Sequence, residues 1–250
     1  MKIRIDQLLV SRGLVESRAR GQALIMAGLV LVGTRRVLKA GEMVGAEADV
    51  VVQGRDHPWV SRGGVKLAHG LAHFGFDPAG VTAMDVGSST GGFTDVLLTG
   101  GAARVYAVDS GTNQLAWKLR SDPRVVILEQ LSARLLSAAH VPEDMGAIVC
   151  DASFISLAKV LEVPLGFAAP GCWLVALVKP QFEAGRGEVG KGGVVRDAAV
   201  QARVCEAAAD WLGGQPGWTV KGLVESPITG PEGNREWLLG GVFEGAAIRT

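Results

Sequence analysis

The chain of 250 residues balances 25 Lys and Arg against 25 Asp and Glu and is 48% hydrophobic, the composition of a soluble protein with one α/β domain or such a domain with a small appendage. Its longest apolar runs, such as 172–178, fall far short of the roughly 18 residues a membrane helix needs, and the N-terminal stretch MKIRIDQLL lacks the apolar core and small-residue cleavage site of a secretory signal. Cys150, Cys172 and Cys205 are odd in number and show no CxxC or CxxxC spacing, which argues against disulfides and a metal site and makes a reducing cytoplasm the expected compartment.

The balanced charge hides an asymmetry. Residues 1–66 carry 11 Lys and Arg against 6 Asp and Glu, a net of +5, and the remainder carries −5. Oppositely charged parts suggest two modules with different partners. From Ile3 the chain reads as two short helices followed by strands. Gly13 ends the first helix and Ser17 is a fitting N-cap for the second, SRARGQALIMAG, which carries Arg18 and Arg20 in its first turn, where backbone N–H groups also favour phosphate. After Gly28, LVLVGTRRVLKAGEMV alternates as strands about a turn at 33–36 that adds Arg35 and Arg36. Arg4, Arg18, Arg20, Arg35 and Arg36 are the candidate RNA-binding residues of this basic module. QGRDHPWV, 53–60, has Gly, Asp and Pro and no periodicity, so it reads as a short linker that keeps the modules close.

The stretch AMDVGSSTGGFTDVLL, 83–98, places an acid and three glycines between an apolar strand and a helix. A plain turn would need one or two glycines; Gly87, Gly91 and Gly92 come with Ser88, Ser89 and Thr90, small residues that let a ligand approach the backbone. No lysine follows Gly92, which excludes a Walker-type phosphate loop, and the G-x-G-x-x-G dinucleotide fingerprint is missed. Asp85, at the end of the first strand, repels a pyrophosphate but can pair with a cationic amino-acid moiety. S-adenosylmethionine has one such moiety and no phosphate. Asp109, ending RVYAVD on the order of 20 residues later, is placed to accept two ribose hydroxyls. Further apolar strands, VVILE, GAIVCD and WLVALVK, alternate with helical stretches and predict a doubly wound parallel sheet with its ligand at the carboxyl ends of the strands. Asp151 and Lys179 each close one of these strands and are expected on the crevice of Asp85 and Asp109. A ribose 2′-hydroxyl is a poor nucleophile, and a lysine oriented by a carboxylate can remove its proton.

FEAGRGEVGKGGVV, with Arg186 and Lys191, reads either as an RNA-facing flap or as a plain mobile loop. A helix is expected from about Asp197, and WTVKGLVESP with REWLLGGVFE as a closing strand pair with Glu236 at the start of the last strand.

The order RIDQLLVSRGLVESR, LIMAGLVLVG and VLKAGEMV resembles the S4 RNA-binding domain, with Gly21 standing where that family usually has alanine. The stretches WVSRGGVKL, DVGSSTGGFTD, AVDSGTNQLAWKLRSDPRV, DASFISL, LVKPQFE and SPITGPEGNREW together resemble the TlyA family of rRNA 2′-O-methyltransferases, historically labelled haemolysins, whose catalytic domain is FtsJ-like (RrmJ-like). The resemblance implies an α/β fold, a doubly wound Rossmann-like class I methyltransferase domain at 61–250 joined by a linker at 55–60 to a small S4 (α-L) RNA-binding domain at 1–54. It implies S-adenosylmethionine as cofactor, held by Asp85, Gly87, Ser89, Gly91, Gly92, Phe93 and Asp109, and ribosomal RNA or a ribosomal subunit as partner. It also implies a catalytic tetrad of Lys66, Asp151, Lys179 and Glu236, in which Lys179 acts on the ribose 2′-hydroxyl of a cytidine and the other three tune and position it. In LEQLSARL, Leu131 and Ser132 depart from the family, which often has a polar residue followed by asparagine where the adenine is contacted. The chain ends soon after Glu236, which on the family pattern favours 23S over 16S RNA.

Other classes fit less well. Asp151–Phe154 lacks the two prolines of the [DN]-P-P-[YF] motif of base-amine methyltransferases, and Cys150, the last residue of an apolar strand, is expected to be buried rather than the nucleophile of a C5-cytosine enzyme. An S4-bearing pseudouridine synthase would need neither the Asp85 loop nor Asp109, and a plain RNA-binding factor only the first module. A pore former finds no spanning or strongly amphipathic basic segment.

Overall fold

Separate apolar clusters organise the two ends of the computed structural model, which describes residues 2–15, 17–53, 57–230 and 233–245. The first gathers Ile5, Leu8, Leu9, Val15, Ile25, Val30, Val37 and Val44. It lies between two helices, α1 (Ile5–Ser11) and α2 (Arg18–Met26), and short strands β1 (Lys2–Arg4), β2 (Val30–Val32), β3 (Arg35–Val37), β4 (Met43–Gly45) and β5 (Val50–Val52). The hydroxyl of Ser17 accepts from Arg20 N at 3.2 Å, the N-cap that the spacing predicts. Gly13 takes φ +62° in the turn after α1. Two local expectations are corrected. The chain before Ile5 is a strand rather than part of the first helix, because Lys2–Arg4 pairs with Met43–Gly45. The turn between β2 and β3 is the two residues Gly33 and Thr34, since Arg35 and Arg36 already pair with Val32 and Leu31.

The remaining elements are α3 (Gly63–Phe74), β6 (Thr82–Val86), α4 (Gly92–Thr99), β7 (Arg104–Val108), α5 (Trp117–Arg120), β8 (Val125–Leu128), β9 (Met145–Cys150), α6 (Leu157–Leu161), β10 (Ala168–Val178), α7 (Pro180–Glu183), α8 (Ala198–Gly213), β11 (Trp218–Glu225) and β12 (Trp237–Phe243). Seven strands form one sheet in the order β11-β12-β10-β9-β6-β7-β8. β10, β9, β6, β7 and β8 are parallel; β12 and β11 run antiparallel at one edge, so the sheet is mostly rather than wholly parallel. The closing hairpin can enter antiparallel because its strands need only a short connection, whereas parallel neighbours need a crossover.

Each face of the sheet has its own apolar layer. One contains Met84, Ile148, Leu174 and Leu161 with Leu212 of α8; the other contains Ala83, Val149, Val175 and Leu97 with Leu67 of α3. The buried strands are near-continuous apolar runs, as a sheet covered on both faces requires. The chain runs β6, β7, β8 outward in one direction and then returns to β9 on the other side of β6. This reversal of strand order opens a crevice beyond the carboxyl ends of β6 and β9, the usual ligand position in such sheets. Of the expected linker, residues 55 and 56 lie outside the described residues; at its far end Val60 is buried and its N–H donates to Asp95 Oδ2 at 2.8 Å. The modules touch at Gly13, where a side-chain carbon would lie 3.4 Å from Ala116 Cβ and 3.7 Å from Thr90 Cβ.

Candidate active site at the carboxyl ends of the strands

Asp85 is fully buried near the end of β6. Its Oδ2 accepts from Thr94 Oγ1 at 2.6 Å, while its Oδ1 is buried without a hydrogen-bond partner. Burial pushes its pKa up to about 7, the charges of Asp151 and Asp109 add to the rise, and the Thr94 hydrogen bond opposes it. A buried carboxylate oxygen without a donor is costly, and it suits an incoming ammonium group. Asp109, just after β7, accepts from Ser89 N and Gly111 N, each at 2.7 Å, and so ties the glycine loop to the neighbouring strand end. Ser89 adopts φ +45° and Gly87 φ +80°, so the loop turns sharply between β6 and α4.

The glycines serve packing as much as access. A side-chain carbon at Gly87 would lie 2.9 Å from Ala152 Cα, one at Gly91 2.3 Å from Leu119 Cδ1, and one at Gly92 2.3 Å from Ser61 Oγ. Phe93 is buried in the apolar layer with Leu67 and Leu97. These four residues set how closely the loop approaches β9, α5 and α3. Beside the loop Ser89 is exposed and Asp109 half-buried, while Asp85 is fully buried. Together the orphaned Asp85 oxygen and the carboxylate of Asp109 fit a ligand with an ammonium at one end and a diol at the other.

Beside this crevice two lysines form two ion pairs. Lys179 follows β10, is 6% exposed, and its Nζ lies 2.5 Å from Asp151 Oδ1. Lys66, on α3 and 7% exposed, has its Nζ 2.5 Å from Glu236 Oε2, although the two residues are 170 positions apart. The sheet joins the pairs. Val178 is registered with Trp237 across β10 and β12, which brings Lys179 level with Glu236, and β9 beside β10 carries Asp151 to the same end. The N-terminal turn of α3 closes the group, since a side-chain carbon at Gly63 would lie 3.7 Å from Asp151 Oδ2. The structure thus brings Lys66, Asp151, Lys179 and Glu236 to one end of the sheet as two buried or half-buried pairs.

Several neighbours were not singled out from the sequence. Thr94 anchors Asp85, and Ser153 Oγ accepts from Lys179 Nζ at 2.9 Å. Phe154 is 90% exposed, takes φ +66° and meets Phe182 with ring centroids 5.0 Å apart. Holding a non-glycine residue in the left-handed region costs about 1–2 kcal/mol, so this turn is held by its surroundings. Gly230 leaves room for Glu236, because a side-chain carbon there would lie 2.1 Å from Oε1. Asp151–Phe154 and the residues around Glu236 lie within the DASF and NREW stretches, so a residue-by-residue look at those motifs was the available signal. Cys150 is buried, with its thiol pushed up to about 12 by desolvation, which removes it as a nucleophile near neutral pH.

The basic candidates sit on the first module. Asp6, fully buried, accepts from Arg4 Nε at 3.0 Å and from its guanidinium again at 2.9 Å, from Arg18 at 3.0 Å and from Gln22 at 3.0 Å. These donors, Arg4 first, hold its carboxyl well below the usual range. Arg20 and Arg36 are exposed, and Arg35 pairs with Glu42 at 2.5 Å. The glycine-rich loop 184–194 is tied rather than loose: Gly190 bridges Val194, Glu188 pairs with Arg203 at 2.5 Å, and Asn234 Nδ2 donates to Gly193 O at 2.9 Å.

Comparison with known proteins agrees with this architecture. The family model "FtsJ-like methyltransferase" matches residues 59–243 and "S4 domain" matches residues 3–51. The chain is 46% identical over 239 residues to the "16S/23S rRNA (cytidine-2'-O)-methyltransferase TlyA" of Mycobacterium tuberculosis, covering 95% of this chain and 89% of that protein. It is 38% identical over 238 residues to "Hemolysin A" of Brachyspira hyodysenteriae, covering 94% of this chain and 98% of that protein. The solved structure "Putative hemolysin from Streptococcus thermophilus" superposes with a TM-score of 0.76 at 40% identity, over 98% of this chain and 90% of that one. Among the described residues no helix is long and apolar enough to cross a membrane. With an S4 module in front of a mostly parallel methyltransferase sheet, and with these relatives over nearly its whole length, the chain belongs to the TlyA family of FtsJ-like methyltransferases.

Proposed function

We propose that this protein methylates the ribose 2′-hydroxyl of a cytidine in ribosomal RNA, in a ribosomal subunit, with S-adenosylmethionine as methyl donor. The observation that carries this reading is the end of β10, where Lys179 stands paired to Asp151 beside the Lys66–Glu236 pair and next to the crevice of Asp85 and Asp109. The names of the relatives, one of them a cytidine-2'-O-methyltransferase, support the same chemistry.

S-adenosylmethionine, when bound, supplies an electrophilic methyl group on a sulfonium. Asp85 Oδ1 would take its ammonium, and Asp109 its ribose hydroxyls. Lys179 Nζ, as the free amine, would accept the proton of the 2′-hydroxyl as that oxygen takes the methyl group, the demethylated thioether being the leaving group. Asp151 orients Lys179, and Glu236 orients Lys66, whose charge faces the oxygen as it develops negative character. Phe154, exposed beside Lys179, offers a face on which an unstacked nucleobase can lie. Arg4, Arg18, Arg20, Arg35 and Arg36 of the S4 module hold the surrounding RNA by its phosphates.

The test is transfer of tritiated methyl to isolated 50S and 30S subunits, with products read as alkali-resistant linkages. Wild-type label at an alkali-resistant ribose, reduced at least about 100-fold by Lys179→Ala, is the expected outcome, and the subunit that takes label identifies the RNA. Label on a base, or equal label from the variant, would overturn the reading.

A further inference from the structure

The amide of Gln114 lies beside the Asp109 carboxylate. Its Oε1 accepts from Ser89 Oγ at 3.1 Å, so the segment after β7 is tied to the glycine loop by side chains as well as by the contact of Asp109 with Ser89 N. A side-chain carbon at Gly111 would lie 2.2 Å from Gln114 Nε2 and 3.1 Å from Asp109 Oδ1, so amide and carboxylate stand on the same side of that residue. The φ of Gly111 is not in the left-handed region, so the backbone there does not call for glycine. What the missing side chain leaves free is the space that the Gln114 amide occupies.

The segment that carries Gln114 is anchored on both sides. Asn113 N donates to Glu129 Oε2 at 2.9 Å, Gln130 N to Gly111 O at 3.0 Å and Ala116 N to Thr90 O at 3.2 Å. Leu115 and Ala116, next in the chain, are buried, whereas Gln114 and Ser89 are exposed and Asp109 is half-buried. The amide is therefore held at an open edge of the crevice. With Oε1 occupied by the Ser89 hydroxyl, Nε2 keeps its two N–H donors and makes no hydrogen bond among the described residues. A carboxylate only accepts, and each hydroxyl of a diol both donates and accepts. Asp109 already takes the N–H groups of Ser89 and Gly111 at 2.7 Å each, so it offers its remaining lone pairs to a diol and has no donor to give. Gln114 supplies that donor at the same place.

We propose that Gln114 is a cofactor-binding residue: its Nε2 donates to a ribose hydroxyl of S-adenosylmethionine that itself donates to Asp109, and Gly111 leaves the space in which the amide lies. This rests on the cofactor reading given above, and it extends the ribose subsite from one acid to an acid and an amide joined through Ser89. Gln114 has no part in methyl transfer itself, so its removal acts on cofactor affinity and leaves the rate at saturating cofactor in place.

Calorimetry with S-adenosylhomocysteine and its 2′-deoxy and 3′-deoxy analogues tests this on the full chain without RNA. Gln114→Ala is expected to bind S-adenosylhomocysteine about 5- to 10-fold more weakly than wild type. That loss is expected to shrink to less than about twofold for the analogue that lacks the contacted hydroxyl. A loss of equal size for all three probes is the mark of a structural defect and would overturn the proposal, as would unchanged affinity. Tighter binding by Gln114→Ala would also overturn it, since the amide would then be a plug in the ribose position. In Gly111→Ala the new methyl group displaces the end of the Gln114 side chain. Its expected loss matches that of Gln114→Ala, and the double variant is expected to bind no more weakly than either single one. Additive losses would overturn the part given to Gly111. Wild-type protein that binds neither S-adenosylmethionine nor S-adenosylhomocysteine would overturn the cofactor reading itself, whereas wild-type binding with no effect of Gln114→Ala overturns only the assignment of Gln114.

Discussion

On the proposed function, Asp85 is expected to link protonation to cofactor binding. Without ligand its buried carboxyl is raised to about 7, so below that pH it is largely protonated, and its Oδ1 has no donor. An ammonium placed against it favours the ionised form, so binding in acid must expel a proton. The sign follows from this: affinity for S-adenosylmethionine is expected to weaken by up to about tenfold per pH unit as the pH falls below about 7. Calorimetry from pH 5.5 to 8.5 checks this, and Asp85→Asn is expected to flatten the profile and weaken binding throughout. A wild-type profile with no acid limb would show that Asp85 does not receive the cation.

At the scale of elements, strand ends and helix starts meet without room to spare. Gly87 links β6 to the glycine loop at φ +80°, with the Asp151–Ala152 peptide of the chain after β9 against it. In Gly87→Ala the new methyl group meets backbone, which cannot swing aside as a side chain can, and the left-handed φ adds strain. The variant is expected to lose about 1–3 kcal/mol of stability, measured by urea unfolding, and to lose methyl transfer by displacing Asp151. A variant as stable and active as wild type would refute this account of the glycine. The α1–α2 pair has a different centre: buried Asp6 gathers Arg4, Arg18 and Gln22, so the basic side chains proposed to meet RNA are fixed by an acid behind them. In Asp6→Ala, Arg4 and Arg18 lose their common anchor, and weaker RNA binding is expected with cofactor affinity intact; tight RNA binding by this variant would show that the anchor is dispensable.

Over the whole molecule, charge is uneven along the chain: residues 1–66, the first module with the linker and the first turn of α3, carry +5 and the remainder −5. On the proposed function, RNA would be attracted mainly by this basic first part of the chain, and the acidic remainder would contribute little to non-specific attraction. For Arg20→Ala the expected result is a higher KM for the ribosomal subunit with kcat retained at saturation, and a salt dependence of binding whose slope is smaller by about one. A loss in kcat with unchanged KM would place Arg20 in the catalytic step instead.

Much of this protein was legible in its amino-acid order because the relevant information is local. Ser17 caps its helix, Asp197 caps α8, and apolar runs bounded by polar ends become β6, β7, β9 and β10, since capping and strand burial depend on near neighbours in the chain. The acid before the glycine loop and the lysine closing a buried strand were equally visible, and they indicated the crevice. What only the tertiary structure decided is who meets whom. Lys66 and Glu236 are joined by the packing of α3 against the β10–β12 edge; β1 finds β4 across some 40 residues; and the antiparallel closing hairpin turns Glu236 toward the site. The glycines of the loop between β6 and α4 looked like openings for a ligand, and their spacing alone could not reveal the side chains and peptide that press against them. Sequence sets propensity and the residues available for chemistry; long-range contacts, whose partners are chosen by burial and sheet register, set the geometry in which those residues act.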